Sequence, residues 1–127
     1  MVEKPFGLAK SERLSSLTAV RRLFADGASG FVYPFRYTVF TEESASPTVE
    51  VLFSVPKRNH KRANRRNLLR RRTKEAYRLN KGALHAVAAE RGKAIDMALV
   101  YSSKDVLPYN TIEHAVRRIL QEIAERS

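Results

Sequence analysis

The sequence of 127 residues contains no cysteine and no tryptophan, and it has only five glycines and five prolines. Without cysteine it forms neither disulfides nor thiolate zinc sites, as is usual in a reducing compartment. No apolar run approaches the roughly 18 residues of a membrane span, and the first residues lack the apolar stretch of a signal peptide. These absences predict a cytoplasmic protein that has no membrane partner.

The chain is long enough for one domain that buries roughly two thirds of its unfolded surface. An apolar content of 43% supplies the side chains for a core, which a disordered basic tail would lack. We therefore predict a single folded domain over residues 1–127. Residues 1–12 are polar and contain Pro5 and Gly7, and we expect them to form a flexible arm.

The first regular element is predicted to be a short helix. Thr18 is a favourable capping residue, and Gly27 stands where a helix end is expected. Between them, Val20, Leu23 and Phe24 recur at helical spacing. We expect this apolar stripe to pack into the core.

Two aromatic and β-branched segments then alternate as strands do. Pro34 interrupts the first segment and predicts an edge, a bulge or a break between two short strands. A polar turn containing Pro47 separates the two segments, and a hairpin between them is the simplest connection. Alternation places two sets of residues on one face each: Phe31, Tyr33, Phe35, Tyr37 and Val39, and Val49, Val51, Phe53 and Val55.

The second half of the chain is predicted to be helix, strand and helix. Residues 61–79 contain no glycine or proline and predict a helix of about five turns, with Asn80 and Gly82 at its end. A short helical stretch over residues 83–92 precedes an apolar central strand at 94–102. The last helix is expected to be capped by Asn110. The order α-β-β-(β)-α-β-α predicts an α/β (α+β) two-layer sandwich around one sheet.

All of the excess positive charge lies in one segment, residues 57–81. This segment contains twelve basic residues and a single acid, Glu75, whereas the rest of the chain has equal numbers of basic and acidic residues. Solvated helix faces normally interleave acids with their basic residues, and this one does not. A partner with a dense line of negative charge would relieve the repulsion, so nucleic acid is the predicted partner.

Helical spacing divides this segment into two faces. Leu68, Leu69, Ala76 and Leu79 fall on the predicted packing face, into which Arg65 and Arg72 intrude. Six polar residues form the predicted outward stripe: Arg66, Asn67, Arg70, Arg71, Lys74 and Arg78. Guanidinium groups suit forked contacts to phosphate and stacking on bases, although charge alone does not separate RNA from DNA.

No protein-borne active site is visible in the sequence. The three histidines, His60, His85 and His114, show no paired spacing with carboxylates, and no phosphate-binding glycine loop, HExxH or GxSxG motif occurs. We expect each histidine to be a surface or core residue. The sequence therefore predicts a binding protein without metal ligands or catalytic side chains of its own.

The basic segment resembles the signature region of the bacterial ribonuclease P protein component. That pattern runs roughly as Val-Ser/Pro-Lys-Lys/Arg, followed by Ala-Val-x-Arg-Asn-Arg-x-Lys-Arg-x-x-Arg-Glu-Ala-Phe/Tyr-Arg. Arg70 and Lys74 retain the charge of that pattern, and the resemblance extends over about residues 13–125. The positions that match are Ala63, Arg66, Asn67, Arg71, Glu75, Ala76, Tyr77 and Arg78. Three positions depart from it: Leu68 replaces the second arginine of Arg-Asn-Arg, Asn64 replaces valine, and Arg72 replaces an apolar residue.

The resemblance implies both a fold and a role. It implies a left-handed crossover through the basic helix between parallel strands, against the right-handed default. It implies an accessory subunit, monomeric in a 1:1 complex with a catalytic RNA, that helps to remove the 5′ leader of precursor tRNA. Mg²⁺ would be bound chiefly by the RNA. A ribosomal-type structural RNA-binding protein is the alternative, and the missing catalytic cluster disfavours a nuclease that acts alone.

The resemblance also implies which residues contact RNA. Phe24 and Tyr37 would contact the single-stranded leader in a cleft between the first helix and the sheet. The catalytic RNA would be bound by the basic helix and the segment before it. The predicted contacts there are Lys57, Arg58, Lys61, Arg62, Arg65, Arg66, Asn67, Arg70, Arg71, Lys74 and Arg78.

Overall fold

The computed structural model describes Leu14 and residues 16–126, so the predicted arm at 1–12 lies outside the described residues. The chain forms four helices and four strands in the order α-β-β-β-α-α-β-α, as predicted for an α+β fold. Their bounds are α1 Leu17–Asp26, β1 Ala28–Val32, β2 Phe35–Glu43, β3 Thr48–Ser54, α2 Ala63–Asn80, α3 Gly82–Arg91, β4 Lys93–Tyr101 and α4 Tyr109–Arg126.

The four strands form one mixed sheet in the order β1-β2-β4-β3. β1 and β2 are antiparallel, β2 and β4 are antiparallel, and β3 and β4 are parallel. The predicted central strand is confirmed, because β4 lies between β2 and β3. The chain crosses from β3 to β4 through α2 and α3, while the left-handedness of this crossover stays a prediction.

The predicted hairpin between the two alternating segments is wrong. β2 and β3 do not pair with each other, because each pairs with β4. The hairpin instead joins β1 to β2 through Tyr33 and Pro34, whose peptide bond is cis. Pro34 therefore marks a break between two strands, which is one of the alternatives predicted for it.

This hairpin also corrects the predicted face of Phe31 and Tyr33. Because the turn places Val32 opposite Phe35, Phe31 lies opposite Arg36. Phe31 thus points to the other face of the sheet from Phe35, and it is exposed. Tyr33 belongs to the turn and is also exposed.

One face of the sheet carries the main core. Alternate residues of β2, β3 and β4, including Val39, Val51 and Leu99, are buried beneath α2, α3 and α4. Six apolar residues recur at helical spacing along α4, and all are buried: Ile112, Ala115, Val116, Ile119, Leu120 and Ile123. α4 begins at Tyr109, so Asn110 lies in its first turn and the predicted cap is wrong.

The opposite face is covered in part by α1. Leu23 is fully buried against Ala98 of β4, with Phe40 and Leu52 at the edge of this smaller cluster. Ser16 caps α1, because its side chain accepts a hydrogen bond from the backbone N–H of Ala19, so the predicted Thr18 cap is wrong by two residues. Within the part of the chain that the structure describes, no helix combines the length and apolarity of a membrane span.

Candidate nucleic-acid interface

The basic surface begins in the loop between β3 and α2. The backbone N–H groups of Asn59 and His60 both donate to the carbonyl of Pro56, at 3.1 and 3.3 Å, which folds the loop into a tight turn. This turn directs charged side chains outward while His60 is buried. Four predicted RNA contacts lie exposed on this loop: Lys57, Arg58, Lys61 and Arg62.

Helix α2 continues this surface with a polar stripe that runs along its outer side. Its buried side consists of Leu69, Thr73, Ala76 and Tyr77. Thr73 is tolerated there because its hydroxyl donates to the carbonyl of Leu69 at 2.8 Å. A shallow concavity along the outer side is lined by Asn64, Asn67, Arg70, Arg71 and Lys74.

The predicted packing face is therefore only partly correct. Leu69 and Ala76 are buried as expected, but Leu79 is 47% exposed and Leu68 is half-buried. The predicted packing face did not include Tyr77, although the Tyr77 side chain is fully buried and its ring meets the ring of Phe53 edge-on. The buried sector is rotated away from Leu68 and Leu79.

The start of α2 has no acid in its first turn and no side-chain cap. Helix N-termini carry a partial positive charge that an acid normally offsets. Here Arg62 occupies the cap position, and Arg65 follows in the first turn. The peptide dipoles and the side-chain charges thus have the same sign at this end, which favours an anion such as phosphate.

Arg65 was predicted on the packing face but is exposed, and it extends the cationic side of α2 beyond the predicted stripe. Arg65, Arg71 and Lys74 make no ion pair within the described chain. Glu75 instead pairs with Arg78, whose Nε donates to it at 3.0 Å. The hydrogen bond from Arg78 lowers the pKa of Glu75, so this carboxylate stays charged and holds the Arg78 side chain.

Two arginines of the segment bind the protein's own backbone. Nη1 of Arg66 donates to the carbonyls of His60 and Lys61, at 2.9 and 2.8 Å. Nη1 of Arg72 donates to the carbonyl of Leu107 at 2.6 Å, which explains how a charged residue occupies this half-buried position. Arg72 thus joins α2 to the loop before α4.

The two predicted leader-cleft residues lie in different environments. Phe24 is on α1, is 52% exposed, and is available to a ligand. Tyr37 is 1% exposed, points to the main core and donates to Oε2 of Glu122 at 2.6 Å. Burial raises the pKa of the Tyr37 hydroxyl, with a further contribution from the Glu122 hydrogen bond. Because Tyr37 lies on the face opposite α1, the structure does not support it as a cleft residue.

Two residues that the sequence prediction missed lie on the same sheet face as α1. Phe31 is 58% exposed, and its cross-strand partner Arg36 is also exposed. Val100 of β4 is the next residue in this row. Pro34 is the sequence signal that could have identified them. A two-residue turn at Tyr33 and Pro34 places Phe31 and Phe35 on opposite faces of the sheet, whereas uninterrupted alternation would place them on the same face.

A group of charged side chains lies beneath α1. Nη2 of Arg22 lies 3.2 Å from Glu42 and 3.5 Å from Asp96, and its guanidinium stacks over the ring of Phe40. Asp96 is paired in register with Glu50 on β3. The pKa of each of these two carboxyls is raised, first by burial; for Glu50 the charge and hydrogen bond of Asp96 add to it.

The described residues contain no group of three or more His, Asp or Glu side chains arranged to hold a metal ion. The stripe on α2 presents cations, which repel Mg²⁺, and Arg22 occupies two of the carboxylates beneath α1. What the stripe can do chemically is bind phosphate groups.

Comparison with known sequences gives one consistent result. The sequence pattern of the family described as Ribonuclease P matches residues 8–124. The chain is 37% identical to the ribonuclease P protein component of Porphyromonas gingivalis strain ATCC 33277 over 121 residues, which cover 94% of this chain and 88% of that protein. It is 32% identical to the protein of the same name from Chlorobium phaeobacteroides, and the match covers 91% of this chain and 87% of that protein.

Solved structures show the same fold. The RNase P protein of Staphylococcus aureus superposes with a TM-score of 0.66 at 19% identity, covering 90% of this chain and 96% of that one. The RNase P protein of Thermotoga maritima gives a TM-score of 0.66 at 21% identity, and the superposition covers 87% of this chain and 96% of that one. At these identities the superpositions support the α+β fold.

Proposed function

The chain belongs to the ribonuclease P protein family, and from this membership we propose that it binds a ribonuclease P RNA and assists that RNA in removing the 5′ leader of precursor tRNA. It is the accessory subunit of a ribonucleoprotein endonuclease, and the reacting groups and Mg²⁺ belong chiefly to the RNA. The complex is cytoplasmic and contains one protein for each RNA. The ribosomal-type alternative is not favoured, because the family match covers nearly the whole chain.

The observation that carries this proposal is the excess of cations without acidic partners on the exposed side of α2 and the loop before it. Arg65, Arg71 and Lys74 have no acidic partner in the described chain, and the first turn of α2 has no acid. Arginine forks donate two hydrogen bonds to phosphate oxygens, while asparagine side chains such as Asn67 can reach sugar or base edges. Binding the RNA backbone here releases counterions, which supplies much of the affinity.

The precursor leader is proposed to lie on the sheet face beside α1. Phe24 and Phe31 expose aromatic rings on this side of the protein, and rings of this kind stack on unpaired bases. Arg36 adds a cation next to Phe31 for the leader backbone. In this arrangement the protein holds the substrate leader and the catalytic RNA on separate surfaces, which orients the leader relative to the RNA.

Reconstitution tests the proposal. Purified protein is added to ribonuclease P RNA transcribed from its own organism, and cleavage of precursor tRNA is followed at low Mg²⁺. We expect faster cleavage with product ends at the mature 5′ terminus, because the bound protein offsets phosphate repulsion that Mg²⁺ would otherwise screen. Two controls are the RNA alone and a protein in which Arg65, Arg71 and Lys74 are all replaced by alanine.

Two results would oppose the proposal. Binding without any stimulation of cleavage favours the structural RNA-binding alternative. Cleavage that persists after the RNA has been digested away indicates a nuclease that acts alone.

A further inference from the structure

Arg66 lies in the basic segment, yet its guanidinium turns back onto the loop that precedes its own helix. Nη1 donates to two successive carbonyls, those of His60 and Lys61. Side chains elsewhere on α2, such as Arg71, remain exposed and make no such contact. Arg66 therefore fixes the direction in which the loop enters α2.

His60 anchors the same loop from the inside. It is 2% exposed, its Nε2–H donates to the carbonyl of Ser103 at 2.8 Å, and its ring lies against that of Tyr101. Ser103 belongs to the loop between β4 and α4. His60 thus ties the basic loop to a second loop while Arg66 ties it to α2.

The second loop is itself held rigidly. The hydroxyl of Tyr101 donates to the carbonyl of Asp105 at 2.6 Å and accepts from the backbone N–H of Leu107 at 3.2 Å. The side chain of Ser103 accepts from the N–H of Asp105. Arg72 then joins α2 to this loop through Leu107. His60 and Arg72 are therefore two separate attachments of the basic segment to one closed loop.

We propose that Arg66 and His60 are positioning residues of the RNA interface, which hold the loop at residues 55–62 in its binding conformation before RNA arrives. The inference rests on the proposed function. Four cations on a short loop repel one another and would otherwise spread over many conformations. Fixing the loop in advance removes that ordering cost from the binding step.

Substituting a positioning residue is expected to change RNA binding differently from substituting a residue that contacts phosphate. Loss of a phosphate contact lowers both the affinity and the slope of log K against log salt concentration, by about 0.7 to 0.9 per contact. Loss of a positioning residue lowers the affinity and leaves the slope unchanged. His60 is decisive because its side chain is buried and cannot reach phosphate.

The experiment measures binding of the full chain to ribonuclease P RNA over a range of salt concentrations. His60→Phe and Arg66→Ala are each expected to weaken binding about tenfold, with the wild-type slope. Arg71→Ala is the contact control and is expected to lower the slope. Arg91→Ala, which removes one exposed charge at the end of α3, is the charge control.

A double-mutant cycle sharpens the test. Because His60 and Arg66 act on the same loop, the combined variant is expected to lose less affinity than the product of the two single losses. Arg66→Ala and Arg71→Ala are expected to combine independently. His60→Gln, which retains an N–H donor for Ser103, is expected to restore binding to within about threefold of wild type.

Thermal melting is recorded for every variant, and amide exchange supplies a second readout if His60→Phe does not fold. In Arg66→Ala, the amides of residues 59–66 are expected to exchange faster while those of α4 do not change. The inference is overturned if His60→Phe binds normally, if Arg66→Ala lowers the slope as Arg71→Ala does, or if affinity falls without faster exchange. Failure of the wild-type protein to bind the RNA would instead refute the proposed function.

Discussion

The ring of Tyr37 lies directly over the backbone of Gly30, its partner on the neighbouring strand. A Cβ atom at position 30 would come within 2.4 Å of both Cζ and Oη of that ring. Tyr37 cannot move aside easily, because it is buried and its hydroxyl is held by Glu122. The edge strand β1 therefore needs glycine at this position.

We expect Gly30→Ala to lower the free energy of unfolding by about 1 to 3 kcal/mol through overpacking. Urea denaturation measures the change. Gly82→Ala is the matched control, because nothing lies within 4 Å of a Cβ there and the residue is helical. That variant is expected to be neutral or more stable by up to about 1 kcal/mol. Equal effects in the two variants would contradict the close packing of Tyr37.

A second prediction concerns the carboxyls of Glu50 and Asp96. A carboxyl whose pKa is higher in the folded chain stabilises the fold fully below its unfolded pKa, and this contribution is lost as the pH rises through the folded pKa. Burial and the neighbouring Asp96 raise the pKa of Glu50 above its ordinary value of 4.5. Ionised Glu50 therefore opposes folding at neutral pH.

Glu50→Gln removes this charge and keeps a donor for Asp96. We expect its melting temperature to match wild type near pH 4 and to exceed it by a growing margin as the pH rises above 4.5. Glu43→Gln is the control, because Glu43 has the same charge at the end of β2 but a 90% exposed side chain. A Glu50→Gln variant that is less stable than wild type at pH 7 would show that the charge supports the fold.

The position of β3 illustrates where local sequence signals end. Two alternating segments with a polar turn between them predict a hairpin. In the sheet, however, β4 lies between them, although it begins at Lys93, long after β3 ends at Ser54. Apart from Asp96, the middle of β4 is apolar on both faces, with Met97 and Ala98 both fully buried, so it gains most from the central position. β3 carries Glu50 and Ser54 on its second face and tolerates the edge. Competition between distant strands is not visible in either segment alone.

The interface was predictable in its charge but not in the direction of each side chain. The single acid in residues 57–81 identified the surface, where Arg71 is exposed and Lys74 half-buried, and both line its concavity. Arg66 and Arg72 turn to carbonyls of loops, whose positions depend on the tertiary fold. Helical periodicity predicts on which side of the helix an arginine lies, but it does not predict which group its guanidinium contacts.

The packing of α2 and α4 gives a third prediction. Ile119 is fully buried in the main core, so we expect Ile119→Ala to cost about 2 to 5 kcal/mol. Leu79→Ala makes a comparable truncation on α2, where the side chain is 47% exposed, and we expect a change of less than about 1 kcal/mol. Chemical denaturation compares the two. A large loss of stability in Leu79→Ala would show that Leu79 packs in the core, as helical spacing predicted.

A fourth prediction separates the two aromatic residues once assigned to the leader cleft. Phe24→Ala removes an exposed ring on α1 and is expected to weaken binding of precursor tRNA with a leader about tenfold, because base stacking contributes about 1 to 3 kcal/mol. Its melting temperature and its affinity for mature tRNA are expected to change little. Tyr37→Phe removes only the hydroxyl that donates to Glu122, so it is expected to lose about 1 to 2 kcal/mol of stability.

The paired measurement is the affinity of each reconstituted variant for precursor tRNA with and without its leader. Since Tyr37 faces the core beneath α4, its variant is expected to discriminate the two substrates as wild type does. If Tyr37→Phe no longer distinguished precursor tRNA with a leader from tRNA without one, while Phe24→Ala still did, the leader would lie on the sheet face that α4 covers. The reverse result ties leader recognition to the side of the sheet that α1 covers, where Phe31 and Arg36 then become the next residues to substitute.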